Sequence, residues 1–224
     1  MEASRALVTT LEALAAGRSF EEAYGALAKP GAPLPVVMTR TSTVGDSETP
    51  FTISMLVRPQ ATVGTLATLS STSIGTGACT SLLGFDSKGQ LVAQIFGGGG
   101  PEPRFFFTAT GPSLPLGRFS HVAMTWAPGK QVRLFVDGLE VAAADAPRFV
   151  RHQREGEAFV TWGSFNTAGP GFCWPGHVSA RRFEGLMTDL QLAPRVMSSA
   201  EVASLAASTG LVEPRSSKPS TKGQ

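Results

Sequence analysis

The sequence predicts an all-β sandwich flanked by short helices, and three observations carry that expectation. Between residues 36 and 192 the chain breaks into short alternating apolar runs separated by Gly, Pro and Ser. Gly (25) and Pro (16) are plentiful while charged residues reach only 16%, which suits many turns and excludes a coiled coil or a disordered chain. A hairpin signal, Asp137-Gly138, joins two runs whose apolar residues alternate in step.

The elements follow in order. In residues 1–29, Leu7, Leu11 and Leu14 recur at helical spacing, and Ser19 with Glu22 forms a capping box before Phe20, Tyr24 and Leu27. "KPGAPLP" (29–35) ends this helical part, because closely spaced prolines cannot continue it. In "FTISMLVRP" (51–59), Phe51, Ile53, Met55 and Val57 share one face. "TLATLSS" (65–71), "TSLLGFDSKGQLVAQIFG" (80–97), "RFFFTAT" (104–110), "AFVTWGSF" (158–165) and "RFEGLMTDLQLAP" (182–194) read as further strands. "MSSAEVASLAA" (197–207) is a helix capped by Ser198 and Glu201, and the polar tail 208–224 reads as disordered. The expected division is therefore 1–35 extension and linker, 36–207 sandwich domain, 208–224 tail.

The segment "RFSHVAMTWAPGKQVRLFVDG" (118–138) reads as strands of a meander. Val122, Met124 and Trp126 face one way, with Val132, Leu134 and Val136, while His121, Arg133, Phe135 and Asp137 face the other. A tight turn at Asp137-Gly138 pairs Val136 with Leu139, Leu134 with Val141 and Val132 with Ala143, all on the core side. Trp126 is thus expected to be buried.

Here the residues acquire a family likeness. "LGRFSHVAMTWAPGKQVRLFVDGLEVA" resembles the signature of the laminin-G-like, concanavalin-A-like jelly rolls of the lectin-glucanase superfamily, a W/F-x-H-V-A-x-T strand followed by an L-Y/F-V-D-G hairpin. "FTISMLVRP" is similar to an early strand of that family, with Met55 where it often has Trp. "FEGLMTDLQLAPRVMSSAEVASL" is similar to its closing pattern. The resemblance spans roughly residues 50–207 and implies two antiparallel sheets in a jelly roll. It also implies that calcium is a conceivable ligand, though the five Asp are not clustered and no site can be assigned.

Catalysis finds little support. The jelly-roll glucanases carry E-x-D-x-E or E-x-D-x-x-E, and none of the glutamates here has an Asp two positions later. "REGEAF", with Glu155 and Glu157, is the nearest imitation and reads as a solvated edge. A glycoside hydrolase remains a remote alternative. His121, His152 and His177 lack metal-ligand spacing, and "GFDSKGQL" lacks the Lys-Ser/Thr of a phosphate loop.

Two segments are candidate ligand surfaces. The Gly/Pro loop "NTAGPGFCWPGHVSARR" (166–182) displays Phe172, Trp174 and His177; Trp174 either stacks on a ligand or folds back to cap the sandwich. "RFVRHQRE" (148–155) offers Arg148, Arg151 and Arg154 to an acidic glycan or protein. The expected function is a non-catalytic, lectin-like module for a carbohydrate or protein ligand. The alternative is a structural subunit of an intracellular assembly, docking through the N-terminal helices or the 166–182 loop.

A net charge of +2 implies no pull towards nucleic acid, and no run is long enough to span a membrane. The N-terminus does not read as a signal peptide, so the expectation is an intracellular, cytoplasmic protein. On that expectation Cys79 and Cys173 are reduced and unlinked.

Overall fold

The computed structural model describes residues 37–41, 49–72, 78–98, 105–148, 158–163 and 173–210. The expected N-terminal helices and the tail beyond residue 210 lie outside the described residues.

Twelve strands are found among them: β1 (Val37–Thr41), β2 (Phe51–Pro59), β3 (Thr65–Ser70), β4 (Cys79–Phe85), β5 (Leu91–Gly98), β6 (Phe105–Thr110), β7 (Ser120–Trp126), β8 (Lys130–Val136), β9 (Leu139–Ala146), β10 (Ala158–Trp162), β11 (Cys173–Trp174) and β12 (Gly185–Ala193). One sheet runs β1-β10-β3-β4-β5-β6, with β11 added in parallel to the start of β4. The other runs β12-β2-β7-β8-β9, all antiparallel. The result is the expected two-sheet jelly-roll sandwich.

Alternation fills the space between the sheets. Phe51, Ile53, Met55 and Val57 from β2 meet Val122, Met124 and Trp126 from β7, and all are fully buried. Trp126 packs its ring 5.8 Å from that of Phe51 and donates its indole N–H to the Ala146 carbonyl at 2.9 Å. The opposite sheet contributes Leu66, Leu82, Phe85, Leu91 and Ile95. "GFDSKGQL" is a hairpin turn: the Asp86 carboxylate accepts the N–H groups of Lys88 and Gln90 at 2.8 and 2.9 Å.

The β8–β9 pairing departs from expectation beyond the first pair. Val136 does pair with Leu139, but Leu134 pairs with Ala142 and Val132 with Ala144. An extra residue, Val141, enters β9 as a bulge opposite the Leu134–Phe135 step; Val141 still packs against the core, joined by Ala142 and Ala144 in place of Ala143. Leu139 is 57% exposed rather than buried.

One helix is described, α1 (Ser199–Ser208), and its capping box forms as expected: Glu201 N–H donates to Ser198 Oγ and Ser198 N–H to the Glu201 carboxylate. Its Val202 joins Ala123 and Phe135 in a small second cluster, so α1 lies on the outer face of the five-stranded sheet. Gly138 permits that approach. Its φ is +78°, and a Cβ there would lie 2.8 Å from the Ala203 Cα. No described helix is long and apolar enough to cross a membrane.

Candidate functional site

The outward residues of β7, β8 and β9 that α1 leaves uncovered line a shallow groove of about 900 Å³. Thr125 lies in it, Gln131 and Arg133 come from β8, and Glu140 and Asp145 come from β9. Ala127, Gly129, Lys130 and Pro147 line the end beside the β7–β8 turn, and Val196 comes from the segment leading into α1.

These side chains are already organised. Arg133 is ion-paired with Glu140, reaches Ser199 Oγ at 3.1 Å, and lies 5.3 Å from the Phe135 ring centroid. Gln131 donates its amide to Asp145 at 3.0 Å. Thr125 is 1% exposed, and its hydroxyl has no hydrogen-bond partner among the described residues. The segment beside the groove is pinned to β2: Thr52 Oγ1 donates to the Arg195 carbonyl and accepts the Met197 N–H. Four planar polar side chains therefore face solvent from fixed strands. Such an array can bind hydroxyl-rich ligands, because each group presents paired donors or acceptors.

The residues singled out from sequence take other positions. Trp174 is half-buried and packs against the core, its ring 4.4 Å from that of Phe96. His177 is exposed, and its backbone N–H donates to Gln94 Oε1 at 2.9 Å. Arg148 is exposed, its guanidinium 5.6 Å over the Phe105 ring, and Phe105 stands edge-on to Phe107. Phe106 instead packs on Phe96. Strand alternation thus puts the Arg148 and Trp174 neighbourhoods on opposite faces of β6. Phe172, Arg151 and Arg154 lie outside the described residues.

The expectation of free cysteines is overturned. Cys79 and Cys173 form a disulfide, their Cα atoms 4.3 Å apart, because β11 runs beside β4 in the register Cys173–Cys79. Below it, buried Gln94 donates to the Ser81 and Pro175 carbonyls at 2.8 and 2.6 Å. The 173–177 loop is therefore held down at two points. Among the described residues no three His, Cys, Asp or Glu converge to hold a metal ion.

His121 is also placed as a sheet residue rather than a ligand. It is 2% exposed, and burial pushes its imidazole pKa down to about 4.

A family model described as the concanavalin A-like lectin/glucanases superfamily matches residues 36–203. The chain belongs to that superfamily. Among solved structures, this member of the lectin/glucanases superfamily is similar to a native heptameric SAP-like pentraxin from Limulus polyphemus: 18% identity, 79% of each chain covered, TM-score 0.51. It is also similar to the CBM40 of the Ruminococcus gnavus IT-sialidase: 20% identity, 74% of this chain and 86% of that one, TM-score 0.52. The same module bound to alpha2,6 sialyllactose gives a TM-score of 0.51 at 20% identity and the same coverage. At such identities the likeness speaks for the fold alone. No match was found among curated proteins.

The groove was missed in the sequence reading. Its one signal was the alternation that turned Arg133 away from Val132 and Leu134.

Proposed function

We propose that this protein is a non-catalytic, lectin-like binding module whose ligand is a carbohydrate. The observation that carries this reading is the groove, where Gln131, Arg133, Glu140 and Asp145 sit together on three neighbouring strands. Its carboxylates act as fixed acceptors, since Glu140 receives Arg133 and Asp145 receives Gln131. That arrangement suits holding hydroxyl groups rather than passing a proton to a leaving group. The sialyllactose-bound relative lends the reading further support, as the same architecture holds a glycan there.

The Cys79–Cys173 disulfide favours an oxidising compartment over the cytoplasm, because such bonds persist where thiols are not kept reduced. The test is a glycan array probed with the full chain, followed by calorimetry on the glycans retained. Saturable binding at micromolar to millimolar affinity is expected; an array with no reproducible ligand refutes the reading. A stable protein partner co-purifying in its place would favour the assembly-subunit alternative.

A further inference from the structure

Resting on that reading, we infer that the groove takes an uncharged, hydroxyl-rich saccharide and disfavours sugars bearing a carboxylate. Among the described residues its four charged side chains cancel, Lys130 and Arg133 standing against Glu140 and Asp145. Arg133, the natural partner for a carboxylate, is already held by Glu140 and Ser199. An anionic sugar must break that pair or sit between two carboxylates. Lys130 is exposed at the rim, where a lone solvated ammonium adds little attraction.

A neutral sugar meets no such opposition. Its vicinal hydroxyls donate to Glu140 and Asp145 while accepting from the remaining N–H groups of Gln131 and Arg133. Ala127, Pro147 and Val196 supply small apolar surfaces for its C–H edges. Among the described residues no aromatic ring lines the groove, so recognition there runs through hydrogen bonds rather than stacking.

The experiment titrates the full chain with the tightest neutral glycan from the array, and with lactose against 3′-sialyllactose as a fixed pair. Wild type is compared with Gln131→Ala and Asp145→Ala, and each variant is also unfolded in urea. The neutral sugar should bind at least fivefold tighter than its carboxylated counterpart. Gln131→Ala and Asp145→Ala, both at exposed positions, should each weaken it about fivefold or more. The unfolding midpoints of both variants should stay close to that of wild type, which separates lost contacts from lost folding. Tighter binding of the carboxylated sugar overturns the inference. So does neutral-sugar binding untouched by both variants, which moves the site elsewhere but leaves the glycan-binding reading standing. Loss of any saccharide binding by wild type removes both.

Discussion

Asp137 and His121 hold each other across the β7–β8 pair by two hydrogen bonds. The Asp137 N–H donates to the His121 carbonyl at 2.8 Å, and the His121 N–H donates to Asp137 Oδ1 at 3.0 Å. Asp137 does this from a φ of +52°, a left-handed conformation that Asp and Asn tolerate better than most residues. Asp137→Ala should therefore lose both the acceptor and the backbone tolerance, at a cost of about 1–3 kcal/mol. Asp137→Asn keeps an oxygen in place and should stay within about 1 kcal/mol of wild type. Urea unfolding of the two variants gives the comparison, and equal losses would contradict it.

The burial of His121 makes stability depend on pH. Neither ring nitrogen finds a hydrogen-bond partner among the described residues, and the folded pKa of about 4 lies below the ordinary 6.5. The unfolded chain therefore takes up the proton first. The folded state suffers no penalty above pH 6.5, then loses stability as pH falls from 6.5 to 4, by at most about 3 kcal/mol. His121→Met should flatten that slope. Unfolding midpoints that decline equally in variant and wild type between pH 7 and pH 4.5 would assign the loss to other groups.

Trp126 is the largest fully buried side chain of the meander, with its indole N–H satisfied by Ala146. Trp126→Ala should cost roughly 3–5 kcal/mol through lost burial, a cavity and an unpaired carbonyl. A loss under about 1 kcal/mol would mean that β7 faces the other way.

The meander around Trp126 was legible because period-two alternation and Asp137-Gly138 agree on one register. The bulge at Val141 was not, since Leu139, Val141 and Ala143 fit an unbulged hairpin equally well. Long-range pairing left still less trace. Nothing local says that Cys173 will lie beside Cys79, 94 positions away. The groove has the same character: Arg133 could be turned outward from its own strand, but Glu140, Asp145 and Val196 reach it only through the register and the return of the chain into α1. The packing of Trp174 on Phe96 depended on the sheet order.

Joining residues so far apart restricts the unfolded chain strongly. Loop closure of this size contributes up to about 4–5 kcal/mol. Reduction, or Cys79→Ser with Cys173→Ser, should lower the urea midpoint accordingly, and native protein should gain two mass units on reduction. Native material that already carries two free thiols would refute the bond.

The second anchor of the same loop is Gln94, and its effect should be separable from that of the disulfide. Gln94 is fully buried, donates to Ser81 and Pro175, and accepts from His177. It also fixes the residue between those two loop contacts: Gly176 has a φ of +61°, and a Cβ there would lie 2.5 Å from Gln94 Nε2. Gln94→Leu matches the side chain roughly in volume but leaves three backbone groups without their partner. The loop groups at Pro175 and His177 can turn to water, whereas the Ser81 carbonyl sits in a buried strand residue. The expected cost is about 2–3 kcal/mol, with faster amide exchange at residues 175–178 while β7 and β8 keep their protection. With the disulfide intact, Cys173 and Trp174 should exchange as in wild type, because their anchor is separate. Uniform exchange across the whole loop would show that Cys173 and Gln94 act as a single latch.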